Sequence, residues 1–318
     1  MYKKFFGLRE NPFNVNPDPR YLYLTQSAQE ALACLTYGID TRKGFILLTG
    51  EVGTGKTTLL NRLLDWLHEQ RVATAFVFNP RLSVTQFFDF MMADFGIPCE
   101  SHLKSQMLLR LNQWLLDRYQ AGERAVLIVD EAQNLSPQML EEIRLLTNLE
   151  TSTEKLLQIV LAGQPELEQK LSQPQLRQLR QRITLWAKTR TLTLEETRGY
   201  IHERLSIAGS GDGEVFAPAA IEAVHRFARG IPRVTNLLCE HALISAFVDQ
   251  VKPISAAIVE EVARDFTLSE IEPAAPPQPP TSLEQPPLVE SLLQALNTLV
   301  NRINQAERNL EPERDRKP

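Results

Sequence analysis

Residues 45–60 read Phe45-Ile46-Leu47-Leu48-Thr49-Gly50-Glu51-Val52-Gly53-Thr54-Gly55-Lys56-Thr57-Thr58-Leu59-Leu60. A short apolar run, a turn that fits GxxxxGK[ST] and then an amphipathic segment give the order strand, loop, helix that an anion-binding loop requires. Glycines 50, 53 and 55 let the backbone curl so that successive N–H groups point inward. The N-terminus of the following helix adds its partial positive charge. Lys56 is placed to reach the β- and γ-phosphates of a nucleotide, and the Thr57 hydroxyl to hold magnesium. Glu51, Val52, Thr54 and Thr58 fill the rest of the cradle. A glycine-rich turn with no ligand has no need of both flanking elements.

A second stretch supplies the matching acids. Val126-Leu127-Ile128-Val129 is a buried strand, and Asp130-Glu131 stand at its C-terminal end, where α/β proteins bind their ligands. Asp130 suits the magnesium shell, and Glu131 is placed to orient and deprotonate an attacking water. Adjacent acids at a strand end can be solvated surface, but the phosphate loop upstream argues otherwise. A binding-only site does not need the second acid, so Glu131 points to hydrolysis of ATP with Mg2+ as cofactor.

Outward from these two stretches, the apolar runs Phe45–Leu48, Val72–Phe78, Val126–Val129 and Leu156–Leu161 alternate with helical segments such as Thr57–Glu69 and Ser105–Tyr119. Runs apolar on both faces, separated by helices, predict an α/β fold with a parallel sheet covered on both sides. Upstream, Ser27 can cap a helix reaching Ile39. After Leu194 only helical patterns follow, over Glu195–Ala208, Pro218–Arg229, Pro232–Val248 and Ser255–Thr267. Glu272–Pro287 holds seven prolines in sixteen residues, the composition of an extended linker. In Leu288–Leu310, Val289, Leu292, Leu296, Leu299, Ile303, Ala306 and Leu310 form a seam of period 3.5. The expected organisation is a segment 1–40 packing on the nucleotide site, an α/β core 41–194, a helical lid 195–267, a linker 268–287, an amphipathic helix 288–311 and a disordered tail 312–318.

Composition narrows the class. The chain has 318 residues, and 34 Lys plus Arg against 39 Asp plus Glu give a net charge of -5, which speaks against a generally basic nucleic-acid binder. Cys34, Cys99 and Cys239 are far apart, with no CxxC pair, and read as free thiols. The start, Met1-Tyr2-Lys3-Lys4-Phe5-Phe6-Gly7, runs into Arg9 and Glu10 before any signal-peptide core can form, and no run approaches a membrane span. These features lead us to expect a cytoplasmic protein.

The chain also resembles the bacterial AAA+ ATPases of the general secretion pathway protein A type, relatives of the transposition-regulator ATPases. The resemblance rests on Phe6-Gly7-Leu8 with Asn11-Pro12-Phe13, on Pro17-Asp18-Pro19-Arg20-Tyr21-Leu22-Tyr23, and on the phosphate loop. Further along it rests on Val129-Asp130-Glu131-Ala132-Gln133-Asn134-Leu135, Leu161-Ala162-Gly163-Gln164-Pro165-Glu166-Leu167 and Gly230-Ile231-Pro232-Arg233. It implies a five-stranded AAA+ P-loop NTPase core followed by an all-helical lid. It also implies that Gln164 senses the γ-phosphate, that Arg233 reaches the phosphates from the lid, and that Tyr21 and Tyr23 lie near the adenine.

Between Gln169 and Leu194 stand Lys170, Arg177, Arg180, Arg182, Lys188 and Arg190, with no acid among them. In the AAA+ pattern an arginine here projects into a neighbouring subunit's nucleotide, which implies a homo-oligomer with Arg182, or next Arg180, as the finger. Contact with nucleic-acid phosphates, as in a DNA-binding targeting factor, is the rival reading, and a solvated face the plain one. Members that work in secretion continue from the lid into a membrane span, which this sequence lacks. The helix 288–310 instead suggests docking on a protein partner, through which the chain could reach a membrane peripherally.

Overall fold

The computed structural model of the chain describes residues 2–14, 19–78, 82–98, 102–211 and 214–266. The linker 268–287, the helix 288–311, the tail 312–318 and Cys99 lie outside the described residues. In chain order the elements are α1 (Tyr2–Phe6), α2 (Gln26–Asp40), β1 (Phe45–Thr49), α3 (Lys56–Glu69), β2 (Ala73–Val77), α4 (Val84–Asp94), α5 (Lys104–Gln120) and β3 (Ala125–Val129). Then come α6 (Pro137–Leu146), β4 (Leu157–Gly163), α7 (Pro165–Leu171), α8 (Arg177–Arg180), β5 (Ile183–Lys188), α9 (Leu194–Ile207), α10 (Pro218–Ala228), α11 (Pro232–Val248) and α12 (Ala256–Asp265).

The five strands are parallel and lie in the order β2-β3-β4-β1-β5. β4 pairs with β1 on one side, Thr49 opposite Gly163, and with β3 on the other, Val129 opposite Leu161. The strand order therefore sets the C-terminal ends of β1, β3 and β4 side by side, bringing the phosphate loop, Asp130-Glu131 and Gln164 together at a topological switch point.

β1, β3 and β4 are buried on both faces, because helices cover both sides of the sheet. Phe45, Leu47, Leu127 and Ile159 face Phe87, Phe88, Met91, Leu111 and Ile143, while Ile46, Leu48, Ile128 and Val160 face Leu35, Leu59 and Leu63. β5 is an edge strand whose burial alternates, with Ile183 and Ala187 inward and Trp186 exposed.

The four C-terminal helices form their own core around Ile201, Val224, Leu238, Leu243 and Val259. Phe6, Leu8 and Phe13 belong to that core, so the start of the 1–40 segment is built into the lid, whereas α2 packs on the sheet. The cap of α2 is Thr25, whose hydroxyl accepts the Ala28 N–H at 3.1 Å. Ser27, the cap expected from sequence, lies within the helix, because the residue whose backbone is still extended takes the capping bond.

Candidate functional site

A cavity of about 430 Å³ opens above the strand ends. Its walls come from the N-terminal segment (Asn14, Tyr21, Tyr23), the loop and first turn of α3 (residues 52–59), Glu131, Gln164, the stretch between β5 and α9 (Thr189, Arg190, Leu192) and the lid (Tyr200, Arg204, Arg233, Asn236).

The loop has the backbone its sequence calls for. Gly53 and Gly55 take left-handed φ values of 80° and 93°. At Gly50 a Cβ would stand 1.9 Å from Thr189 Oγ1, so only glycine fits beneath that hydroxyl. Lys56 is 7% exposed and its Nζ donates to the carbonyls of Gly50 at 2.8 Å and Glu51 at 2.9 Å. Burial lowers its pKa, and Glu131 followed by Asp130 pull it back. Arriving phosphate oxygens would thus replace acceptors that the ammonium already uses.

Thr57 Oγ1 donates to Asp130 Oδ2 at 3.3 Å, and the Glu131 N–H donates to Oδ1 at 2.8 Å. Burial raises the pKa of Asp130, and the Glu131 N–H is the strongest influence holding it down. A hydroxyl and a carboxylate in contact are the hard oxygen pair that a magnesium ion accepts. Among the described residues no cluster of three or more His, Cys, Asp or Glu is placed to hold a metal by itself. The residues present therefore fit a metal that arrives with a nucleotide.

Glu131 itself adopts a left-handed conformation, φ 53° and ψ 35°, and opens a short 3-10 turn over Ala132–Asn134. Gln133 Nε2 and Gln164 Nε2 both donate to its Oε2, the latter at 3.3 Å. Arg233, at the start of α11, donates its N–H to the Gly53 carbonyl at 3.2 Å, so the lid meets the loop directly. The loop, Glu131, Gln164 and Arg233 thus share one cavity, and Asp130 joins them through Thr57.

Tyr21 and Tyr23 also line it. Tyr21 is buried, which raises the pKa of its hydroxyl, and its ring lies 4.6 Å from the Arg204 guanidinium carbon. The Tyr23 ring meets Tyr200 edge-on at 6.1 Å. Arg204, Tyr200 and Asn236 were not singled out in the sequence. Buried Arg204 donates to the carbonyls of Pro12 at 2.6 Å and Asn14 at 3.3 Å and to Tyr200 Oη at 2.8 Å, and Tyr200 Oη donates to Asn236 Oδ1 at 2.8 Å.

The basic run Gln169–Leu194 does not act as one surface. Lys170 donates to the backbone carbonyls of Gln133 and Leu135, and Lys188 pairs with Glu168 at 2.9 Å. Arg182 donates to Thr147 Oγ1 at 2.8 Å. Arg177, Arg180 and Arg190 are exposed, and Arg190 turns to the cavity. Arg180 and Arg182 do not line it. Cys239 is buried and Cys34 half-buried, both as free thiols.

Comparison with known proteins bears on the fold. The model of a family described as "AAA domain" matches residues 39–171. General secretion pathway protein A of Aeromonas hydrophila is 46% identical over 248 residues, which are 78% of this chain and 45% of that protein. The chain carries an AAA domain. It spans a little under half the length of its curated relative. Among solved structures, Cdc6p of Pyrobaculum aerophilum matches with a TM-score of 0.61 at 16% identity, covering 80% of this chain and 70% of that one. The ORC2 protein of Aeropyrum pernix, as its ADPNP and ADP complexes, matches with a TM-score of 0.60 at 15% identity, over 80% and 71%. The RuvB Holliday junction branch migration motor of Thermotoga maritima matches with a TM-score of 0.51 at 19% identity, over 77% and 70%. At these identities the structural likenesses bear on fold alone. No described helix is long and apolar enough to cross a membrane.

Proposed function

We propose that this protein is a AAA+ ATPase working as a nucleotide-driven switch that serves a partner assembly in secretion, export or envelope biogenesis from the cytoplasmic side. The observation that carries it is that Glu131, Lys56 and Arg233 line one cavity, each from a different element. Lys56 and the loop N–H groups hold the phosphates, Thr57 and Asp130 hold magnesium, and Glu131 orients the attacking water. Gln164 and Arg233 stand where the γ-phosphate would be sensed from the sheet and from the lid. The metal would neutralise phosphate charge. Copies assemble through the edge bearing Arg180 and Arg182, one of which completes a neighbour's site, and hydrolysis is slow because that neighbour is needed. The output is a change of shape passed to a partner, with residues 288–310 as its docking element. The kinship with general secretion pathway protein A supports the envelope setting.

Lys56→Ala should not bind nucleotide, whereas Glu131→Gln should bind ATP and accumulate as an oligomer. Hydrolysis by Glu131→Gln at the parent rate would show that the catalytic assignment is wrong.

The exposed side chains of Arg177, Arg180 and Arg190 favour a second reading, a DNA-binding targeting factor controlled by ATP. Duplex DNA titrated into the ATPase assay at two salt concentrations separates the two. Absence of both stimulation and salt-dependent binding removes the DNA reading.

A further inference from the structure

Gln133 has no place in the reading given so far, yet its side chain touches both the proposed base and the end of the sensor strand. We propose that Gln133 is a positioning residue for hydrolysis, an amide that aims the Glu131 carboxylate and ties that aim to the end of β4. The proposal rests on Glu131 being the base.

The geometry fixes which way the amide faces. Its Oε1 accepts the backbone N–H of Gln164 at 3.1 Å, and its Nε2 donates to Glu131 Oε2. A flipped amide would set NH₂ against an N–H and a carbonyl oxygen against a carboxylate, so both contacts select the same orientation. Space for it is reserved, since a Cβ on Gly163 would lie 2.8 Å from Gln133 Oε1. The backbone of the turn is held as well: the Lys170 ammonium, reaching from α7, donates to the carbonyls of Gln133 and Leu135.

The consequence falls on Glu131. A glutamate at the head of a turn has three side-chain torsions and loses substantial rotamer entropy when it is fixed. Two amides converge on Oε2, and among the described residues Oε1 accepts no hydrogen bond. One oxygen is tethered and the other is left for water. Because one tether is Gln133 and the other is the Gln164 side chain, the carboxylate, the amide and the strand end form a closed ring. Displacement of Gln164 by a bound phosphate is felt at Glu131 through both.

The test compares the full-length chain with Gln133→Met, which keeps the length of the side chain and removes both hydrogen bonds. The expected result is a fall in kcat of about ten-fold or more at unchanged KM and unchanged affinity for a fluorescent ATP analogue, the signature of an interaction that matters for the chemical step. Gln133→Asn keeps an amide one methylene too short to span both partners and should behave alike. It also serves the comparison if the Met variant does not fold. In the Glu131→Gln background, adding Gln133→Met should cost nothing further, because the amide acts through the carboxylate. A parental kcat in Gln133→Met and Gln133→Asn, or an undiminished loss in the double variant, overturns the proposal. If Glu131→Gln alone hydrolyses at the parent rate, the underlying reading of the base has failed instead.

Discussion

The backbone N–H of Arg233 donates to the carbonyl of Gly53, 3.2 Å away, so the first turn of α11 is capped by the phosphate loop. The contact is close on the side-chain side too: a Cβ on Gly53 would lie 2.8 Å from Arg233 Cβ and 3.1 Å from Ile231 Cγ2. Gly53 also has φ at +80°, a conformation that costs an L-residue about 1 kcal/mol or more. The loop and the start of α11 are therefore joined by a backbone hydrogen bond and by close packing. Gly53→Ala should strain the loop and push the lid away together. Nucleotide affinity should fall by about ten-fold or more, the equivalent of ~1.4 kcal/mol, in a titration with a fluorescent analogue, while the melting temperature without ligand falls by only a few degrees.

Arg204 presents a different dependence. Its guanidinium is 6% exposed, lies beside the rings of Tyr21 and Tyr200, and spends its donors on Pro12, Asn14 and Tyr200 rather than on a carboxylate. Removing it takes the donor from the carbonyl of buried Pro12, at ~1–3 kcal/mol for a group left unsatisfied. Arg204→Met should lower stability by roughly 2–4 kcal/mol and expose residues 11–14 to hydrogen exchange, with the sheet protected as before. Exchange at residues 11–14 that matches the parent would show that the segment is held by its apolar contacts alone.

The contrast between β1 and β5 shows what the sequence could and could not announce. β1, β3 and β4 sit in the middle of the sheet, buried on both faces; β1 and β3 appear as apolar runs, and β4 is broken only by Gln158, whose Oε1 accepts the Gly44 N–H at 2.7 Å. β5 is an edge, buried only at alternate positions, and Thr184, Trp186 and Lys188 break its run. The phosphate loop and the acid pair were legible because all their chemistry is local to one strand end each. Gln133 was not, because its partners Glu131 and Gln164 belong to different strands that only the order β3-β4-β1 brings together. Distance along the chain also misled in the basic run: Lys188 finds Glu168 across space, and Lys170 finds backbone carbonyls. Thr25 outcompetes Ser27 as the cap of α2 for an equally local reason, the extended backbone at position 25.

His225 gives the lid a pH dependence whose sign follows from its burial. Its Nδ1 lies 2.9 Å from Thr197 Oγ1, a hydroxyl that also stands 2.8 Å from the Thr193 carbonyl. Burial lowers the pKa of the ring below its ordinary value of 6.5. The unfolded chain therefore takes up a proton at a higher pH than the folded one. The contribution is fully present above about pH 6.5 and is lost as the pH falls through the lower folded value. His225→Gln should flatten the decline in melting temperature between pH 7 and pH 5. An acid limb identical to that of the parent would place its origin in other groups.

Lys56 separates ligand-dependent from ligand-independent stability. Its ammonium is buried at a cost that the Gly50 and Glu51 carbonyls offset in part, and burial lowers its pKa. Replacing it with Met removes a buried cation together with two of its hydrogen bonds, terms of opposite sign, so the ligand-free melting temperature should change little. The behaviour with nucleotide should change completely. At a concentration one hundred times Kd, a ligand stabilises the folded chain by ~2.7 kcal/mol, which raises the melting temperature of a domain of this size by roughly 5–10 °C. The parent should show that rise with ADP and magnesium, and Lys56→Met should show none over the same titration. A rise of equal size in both proteins would mean that the nucleotide is held elsewhere, since no ligand seated on the loop can ignore the lysine that lines this cavity.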